Sequence, residues 1–258
     1  MNYDGHIRAV PLDKIVLSDF APSESGLVNF WVPRYRTIQT MSIAIKEVSG
    51  EQKPIVLDVN CGSGLVGRLL SDTGQDVIGI DSNANFIRQA SEVYGNENTR
   101  FVRGDARNLP EIVSLQDISK VDGVYSSFMP KEVNFVKSIK KIQPKVIIYV
   151  FEIGERDKSR VKQVLNPSEG YEICAIGNAI SYRDLPYLDS LHTDSLATGF
   201  VIQVRERAGE QDRLKCILQQ LAQQDTLKQR YTWEVELDQK LAEIGKMAQQ
   251  GEKLRKCL

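Results

Sequence analysis

Three aspartates stand at the ends of successive apolar runs: Asp58 in IVLDVNCGSG, Asp81 in QDVIGIDSN and Asp105 in TRFVRGDARNLP. Carboxylates at strand ends are suited to a polar ligand that presents a cation, a pair of hydroxyls or an amino group. The first of them opens into a glycine-rich turn. Asn60, Gly62 and Gly64 supply the backbone freedom that a tight strand-to-helix turn requires, and Leu65 to Leu70 reads as the helix that follows. Such a helix aims unpaired N–H groups and a positive dipole end at whatever anion sits over the loop. Asp81 lies near the spacing at which an acidic group meets ribose hydroxyls in nucleotide-binding βαβ units. Gly62, Gly64 and Gly67 also satisfy G-x-G-x-x-G, so a nicotinamide or flavin dinucleotide site stands beside the other readings. Asp58, placed in the turn, suits a cationic amino group better than a pyrophosphate, because like charges repel where screening is poor. Asp105 reads either as a hydrogen-bond acceptor for an adenine amino group or as a helix N-cap.

Taken together these residues resemble the class I S-adenosylmethionine-dependent methyltransferases. In that family an acidic residue and a D-x-G-x-G-x-G loop hold the amino acid end of the cofactor, and Asp58, Val59, Asn60, Cys61, Gly62, Ser63 and Gly64 are similar to it. The departure is Asn60, where the family usually has glycine. Asparagine tolerates the left-handed conformation better than most residues, so a working loop is expected. The resemblance implies Asp81 at the ribose with Ser82 and Asn83 beside it, and Asp105 with Ala106 at the adenine. It also implies a fourth element in VDGVYSSFMP, a strand over Val121 to Tyr125 opening into Ser126, Ser127, Phe128, Met129 and Pro130. The cofactor-binding set is thus Asp58, Asn60, Cys61, Gly62, Gly64, Asp81, Ser82, Asp105, Ala106 and Ser126. Ser126 and Ser127 equally read as plain turn residues. They lack a G-x-S-x-G elbow, which speaks against a serine hydrolase.

The elements that must position these residues make an α/β fold. PKVIIYVFE is almost wholly apolar and reads as a central fifth strand, with a helix near Arg156 to Leu165 after it. YEICAIGNAISY and TGFVIQVRER then read as two strands whose connection, DLPYLDSLHTDSLA, is too short and polar for a crossover helix, so an antiparallel hairpin is expected. The resemblance implies a seven-stranded Rossmann-like sheet, mostly parallel with an antiparallel last strand, and helices on both faces. A dehydrogenase would instead repeat parallel units and add a substrate domain.

Three zones follow. Residues 1 to 50 form an N-terminal extension with a helix from about Arg34 to Val48; Phe30, Trp31 and Tyr35, mixed with Arg34 and Arg36, suit a lid over a sulfonium or a staple to the sheet. Residues 51 to 207 are, by the resemblance, expected to carry the methyltransferase domain. Residues 208 to 258 are rich in Gln, Lys, Glu, Leu and Ala, a composition for long helices, with Leu214, Ile217, Leu221 and later Leu237, Leu241, Ile244 and Ala248 in three-and-four spacing. That tail reads as a coiled coil for a homodimer, as a docking arm for a protein partner, or as a helix folded back on its own domain.

The chain has 258 residues and a formal net charge of −1, which gives no overall basic field and favours a small-molecule acceptor over nucleic acid. Cys61, Cys174, Cys216 and Cys257 lack C-x-x-C spacing and histidine neighbours, so neither a metal site nor a disulfide framework is expected. Without an apolar run long enough to span a bilayer or a leader at Met1, a cytoplasmic protein is expected. A sulfonium methyl is already activated, so the protein must align the acceptor and exclude water, with a general base needed chiefly for a hydroxyl. His192 is the base candidate whose unperturbed pKa suits neutral operation, with Glu152, Tyr125 and Tyr182 behind it. SSFMP lacks the D/N-P-P-Y pattern of many amino-group methylases, and the acceptor is expected to be a small molecule methylated at oxygen or nitrogen.

Overall fold

The computed structural model describes residues 35–127, 133–153, 170–181, 197–205, 212 and 214–217. Its centre is the apolar run that ends at Val59. Strand β1 (Ile55–Val59) pairs in parallel with β2 (Asp76–Asp81) on one side and with β4 (Gly123–Ser127) on the other. Beyond β2 lies β3 (Thr99–Arg103), and beyond β4 lies β5 (Val146–Ile153), both parallel to their neighbours. Strands buried on both faces need near-continuous apolar sequence, and VIGI and VIIYV supply it.

Only the last strand, β7 (Ala197–Arg205), reverses direction, and β6 (Tyr171–Ser181) runs the same way as β1 to β5. β7 inserts antiparallel between β5 and β6, giving one seven-stranded sheet of order β3-β2-β1-β4-β5-β7-β6. The antiparallel pairing of β6 with β7 is the one expected from their short polar connection. The chain crosses from one half of the sheet to the other between β1 and β4. In open α/β sheets, ligands bind outside the carboxyl ends of the strands at such a switch point.

Alternation along β1 divides the core into two layers. Val56 faces α1 (Tyr35–Ser49) and α2 (Leu65–Asp72), in a cluster with Ile38, Met41, Ile45, Leu69 and Leu70. Tyr94, at the end of α3 (Ala84–Tyr94), belongs to the same layer. Leu57 and Val59 face the opposite layer, built from α4 (Leu109–Leu115) and α5 (Val133–Lys141) through Leu109, Ile112, Phe135 and Ile139. In α1, Ile38, Met41, Ile45 and Val48 recur at three- and four-residue spacing, so the helix anchors through an aliphatic stripe. Leu214 is fully buried in this same layer. The rest of the expected C-terminal helix beyond 217, the helix expected at 156–165, and Phe30 and Trp31 lie outside the described residues.

Two boundaries differ from expectation for physical reasons. The turn was expected to begin at Asp58, yet β1 runs on to Val59 because parallel partners flank it, Asp58 standing opposite Gly79 and Tyr125. The fourth strand was expected from Val121 but starts at Gly123. Asp122 instead clamps the start of β1, its backbone N–H donating to Ile55 O at 2.9 Å and its Oδ2 accepting from Ile55 N–H at 3.1 Å.

Candidate active site

At the end of β1 the chain turns through Asn60 at φ 60°, Gly62 at φ 52° and Gly64 at φ 88°. Asparagine thus takes the left-handed conformation in the place where the resembling family carries glycine. Gly64 N–H closes the turn on Cys61 O at 2.9 Å and caps α2, whose Arg68 N–H returns to Gly64 O at 3.1 Å.

The two glycines are required for opposite reasons. A Cβ on Gly64 would lie 2.6 Å from two ring carbons of Phe101 and 2.7 Å from Ala90 Cβ, so this glycine lets the loop sit directly on the Phe101 ring. A Cβ on Gly62 would meet nothing within 4 Å, so this glycine opens onto free space. Gly79 completes the floor, because any Cβ there would strike Phe101 at 2.3 Å. Neither Phe101 nor Gly79 was singled out from the sequence, although a glycine inside a strand is a signal of close approach.

Asp81 ties this turn to the next strand. Its Oδ2 accepts from Gly62 N–H at 3.0 Å and its Oδ1 from Asn83 N–H at 2.8 Å. A carboxylate offers about four lone-pair sites, so acceptor capacity remains for a ligand. Asn83 caps α3 through Asn85 N–H at 2.9 Å, and Ser82 is exposed beside it.

Asp58 departs from its expected place. It lies within β1, fully buried, and its carboxylate oxygens make no hydrogen bond of normal geometry. Burial pushes its pKa up to about 7; the nearby Gly67 N–H offsets part of that rise and the Asp81 charge adds to it. Asp58 therefore acts from beneath the loop and the start of α2. Its Oδ2 sits 3.0 Å from the Cβ position of Gly67, the third glycine of the G-x-G-x-x-G pattern. Cys61 is buried too, and burial together with the Asp58 and Asp81 charges pushes its thiol pKa up, leaving it unreactive.

Asp105 takes its N-cap reading. Its Oδ1 accepts from Arg107 N–H at 2.9 Å at the head of a 3-10 turn, Ala106–Asn108, and Arg107 Nε reaches both carboxylate oxygens at 2.9 Å. The Arg107 guanidinium holds the Asp105 pKa below its ordinary value, and Arg107 was not foreseen from the sequence. Ala106 is buried beneath the turn.

Ser126, near the end of β4 and opposite Val59, is fully buried, and its Oγ has no partner among the described residues. Tyr125 is fully buried in the core layer that holds Val56, which makes it a packing residue. His192, Tyr182, Phe128, Met129 and the Glu152 side chain lie outside the described residues. No group of His, Cys, Asp and Glu that could hold a metal occurs among the described residues.

Residues 56–142 match the family model described as a methyltransferase domain. The chain contains a methyltransferase domain of the S-adenosylmethionine-dependent kind. The matched segment begins one residue into β1 and ends just past α5, so it contains all three aspartates and the glycine turn. This methyltransferase is similar in outline to an rRNA methylase from Streptococcus thermophilus, at 15% identity over 66% of this chain and 96% of that one, with a TM-score of 0.49. Magnesium protoporphyrin IX methyltransferase from Synechocystis, with S-adenosylmethionine bound, shows 19% identity over 66% of this chain and 80% of its own, with a TM-score of 0.46. Precorrin-6y C5,15-methyltransferase from Geobacter metallireducens shows 14% identity over 76% of this chain and 98% of its own, also at 0.46. At such identities and scores these structures carry no weight on substrate. Curated proteins give no sequence match.

The residues present fit the cofactor. Free space above Gly62 admits close approach to the backbone, and a partly exposed carboxylate with spare lone pairs borders it at Asp81. The dinucleotide reading of the glycine pattern is set aside: Gly67 lies within α2 over the Asp58 carboxylate, where a pyrophosphate would meet a like charge once Asp58 ionises.

Proposed function

We propose that this methyltransferase transfers a methyl group to an oxygen or nitrogen of a small-molecule acceptor, with the cofactor laid across the carboxyl ends of β1, β2 and β3. The observation that carries this reading is the bond from Gly62 N–H to Asp81 Oδ2 at 3.0 Å, which locks the open glycine turn to the carboxylate best placed for a ribose. S-adenosylmethionine supplies a methyl group already activated on a sulfonium.

The chain's own work is to bind, orient and exclude water. Gly62 and Gly64 shape the backbone under the amino acid end of the cofactor, and Asp81 accepts from ribose hydroxyls. Asp105 and Ala106 border the adenine. Asp58 supports the turn from below, and its carboxylate becomes an anion more readily when a cationic ligand settles above it. The small-acceptor reading is supported by a net charge of −1 over 258 residues, which offers no general attraction to a polyanion.

Transfer from a donor carrying a labelled methyl group, using the full chain and a cell extract split into small-molecule, RNA and protein pools, tests the acceptor. Label in the small-molecule pool is expected. Label that appears only in the nuclease-sensitive pool refutes a small acceptor while leaving the cofactor site intact.

A further inference from the structure

The 3-10 turn after β3 and the helix α5 border a polar cleft of about 400 Å³ that is open to solvent, lined by Asp105, Arg107, Asn108, Lys137, Ser138 and Lys141. Three cations there face one carboxylate, and that carboxylate is already engaged by Arg107. Lys137 and Lys141, four residues apart, project from one face of α5 and are exposed. Among the described residues neither has a carboxylate within ion-pair distance.

A buried hydrogen bond ties the two elements together. Buried Ser138 Oγ accepts from Leu109 N–H at 3.0 Å, fixing α5 against the start of α4 and holding the two lysines opposite Arg107. Like charges gathered in a cleft repel one another unless an anion joins them, and this cleft holds an excess of positive charge.

We propose that this cleft is a subsite for the phosphate monoester group of a small molecule. Lys137 and Lys141 contribute point charges, and Arg107 and Asn108 contribute planar donors from the facing turn. A monoester dianion matches the uncompensated charge of the two lysines better than a singly charged diester does. The subsite meets the proposed adenine border at Asp105, and it stands whether or not the acceptor itself carries the phosphate.

The test uses the full chain at pH 7.5 with ionic strength balanced by chloride, and ribose 5-phosphate, inorganic phosphate and a short oligonucleotide without terminal phosphates as probes. Binding is read by calorimetry. Saturable binding of ribose 5-phosphate and inorganic phosphate is expected, weakened about tenfold or more in the Lys137→Ala, Lys141→Ala double variant, since one lost charge-assisted hydrogen bond accounts for that factor. The Lys137→Arg, Lys141→Arg pair retains binding. Both variants keep the wild-type affinity for S-adenosylhomocysteine, which reports an intact fold. Absence of saturable binding in the wild type overturns the proposal, as does undiminished binding in the double alanine variant. Equal affinity for the oligonucleotide through the same lysines overturns the monoester assignment in favour of a nucleic acid backbone.

Discussion

Replacing Asp58 by asparagine removes a buried ionisable group with little change of shape, and its consequence can be worked from its surroundings. In the folded chain burial lifts the Asp58 pKa from 3.8 to about 7, whereas the unfolded chain titrates near the ordinary value. Between those two values the native state holds a proton that the unfolded state has released. Stability from this group is therefore fully present below about pH 4 and is lost as pH rises through about 7. A separation of roughly three pKa units corresponds to ~4 kcal/mol between pH 4 and pH 8. Urea unfolding of wild type and Asp58→Asn across that range measures it. The gap in unfolding free energy should shift by about that amount in favour of the variant as pH rises. Parallel curves over the whole range would show that Asp58 ionises freely, and the account of a carboxylate trapped beneath the loop would fail.

The remaining predictions concern the loop and its neighbours. Gly64→Ala forces a Cβ to 2.6 Å from Phe101 in a left-handed conformation and should cost roughly 3 kcal/mol of stability, read by thermal or urea unfolding. Gly62→Ala meets nothing within 4 Å, so its stability cost stays near ~1 kcal/mol while affinity for S-adenosylhomocysteine falls about tenfold or more; the reverse ranking of the two variants would refute the division of labour. Asp81→Ala strips the acceptor from Gly62 N–H and Asn83 N–H and should weaken S-adenosylhomocysteine binding at least about tenfold by calorimetry, and unchanged affinity would remove Asp81 from the site. Ser126→Ala deletes a buried hydroxyl that has no partner among the described residues, so unfolding free energy should stay level or rise by up to ~1 kcal/mol; a loss greater than that would mean the hydroxyl is hydrogen-bonded in solution.

Much of this arrangement was legible because it is written in local signals. Ile55 to Gly64 announces strand, turn and helix by residue type alone, and the left-handed backbone of Asn60 follows from the small list of residues that tolerate it. The hairpin of β6 and β7 followed from the length and polarity of its connection. Burial was harder to read, because it depends on what packs from elsewhere in the chain. Asp58 looked like a turn residue until β2 and β4 were seen to flank it. Phe101 gave no sign of lying under Gly64, since the two meet only through the register that sets Gly79 opposite Phe101. Asp105 offered two readings, and Arg107, two residues on, decided for the cap by supplying both a backbone and a side-chain donor.

The ring beneath Gly64 belongs to β3, which among the described residues has β2 for a neighbour on one side and none on the other. Border strands open more readily than central ones, so the proposed seat of the cofactor rests on a border ladder of the sheet. Peeling of that margin withdraws the support under the turn at the heart of the molecule. An occupied seat, by the same coupling, fastens the margin down.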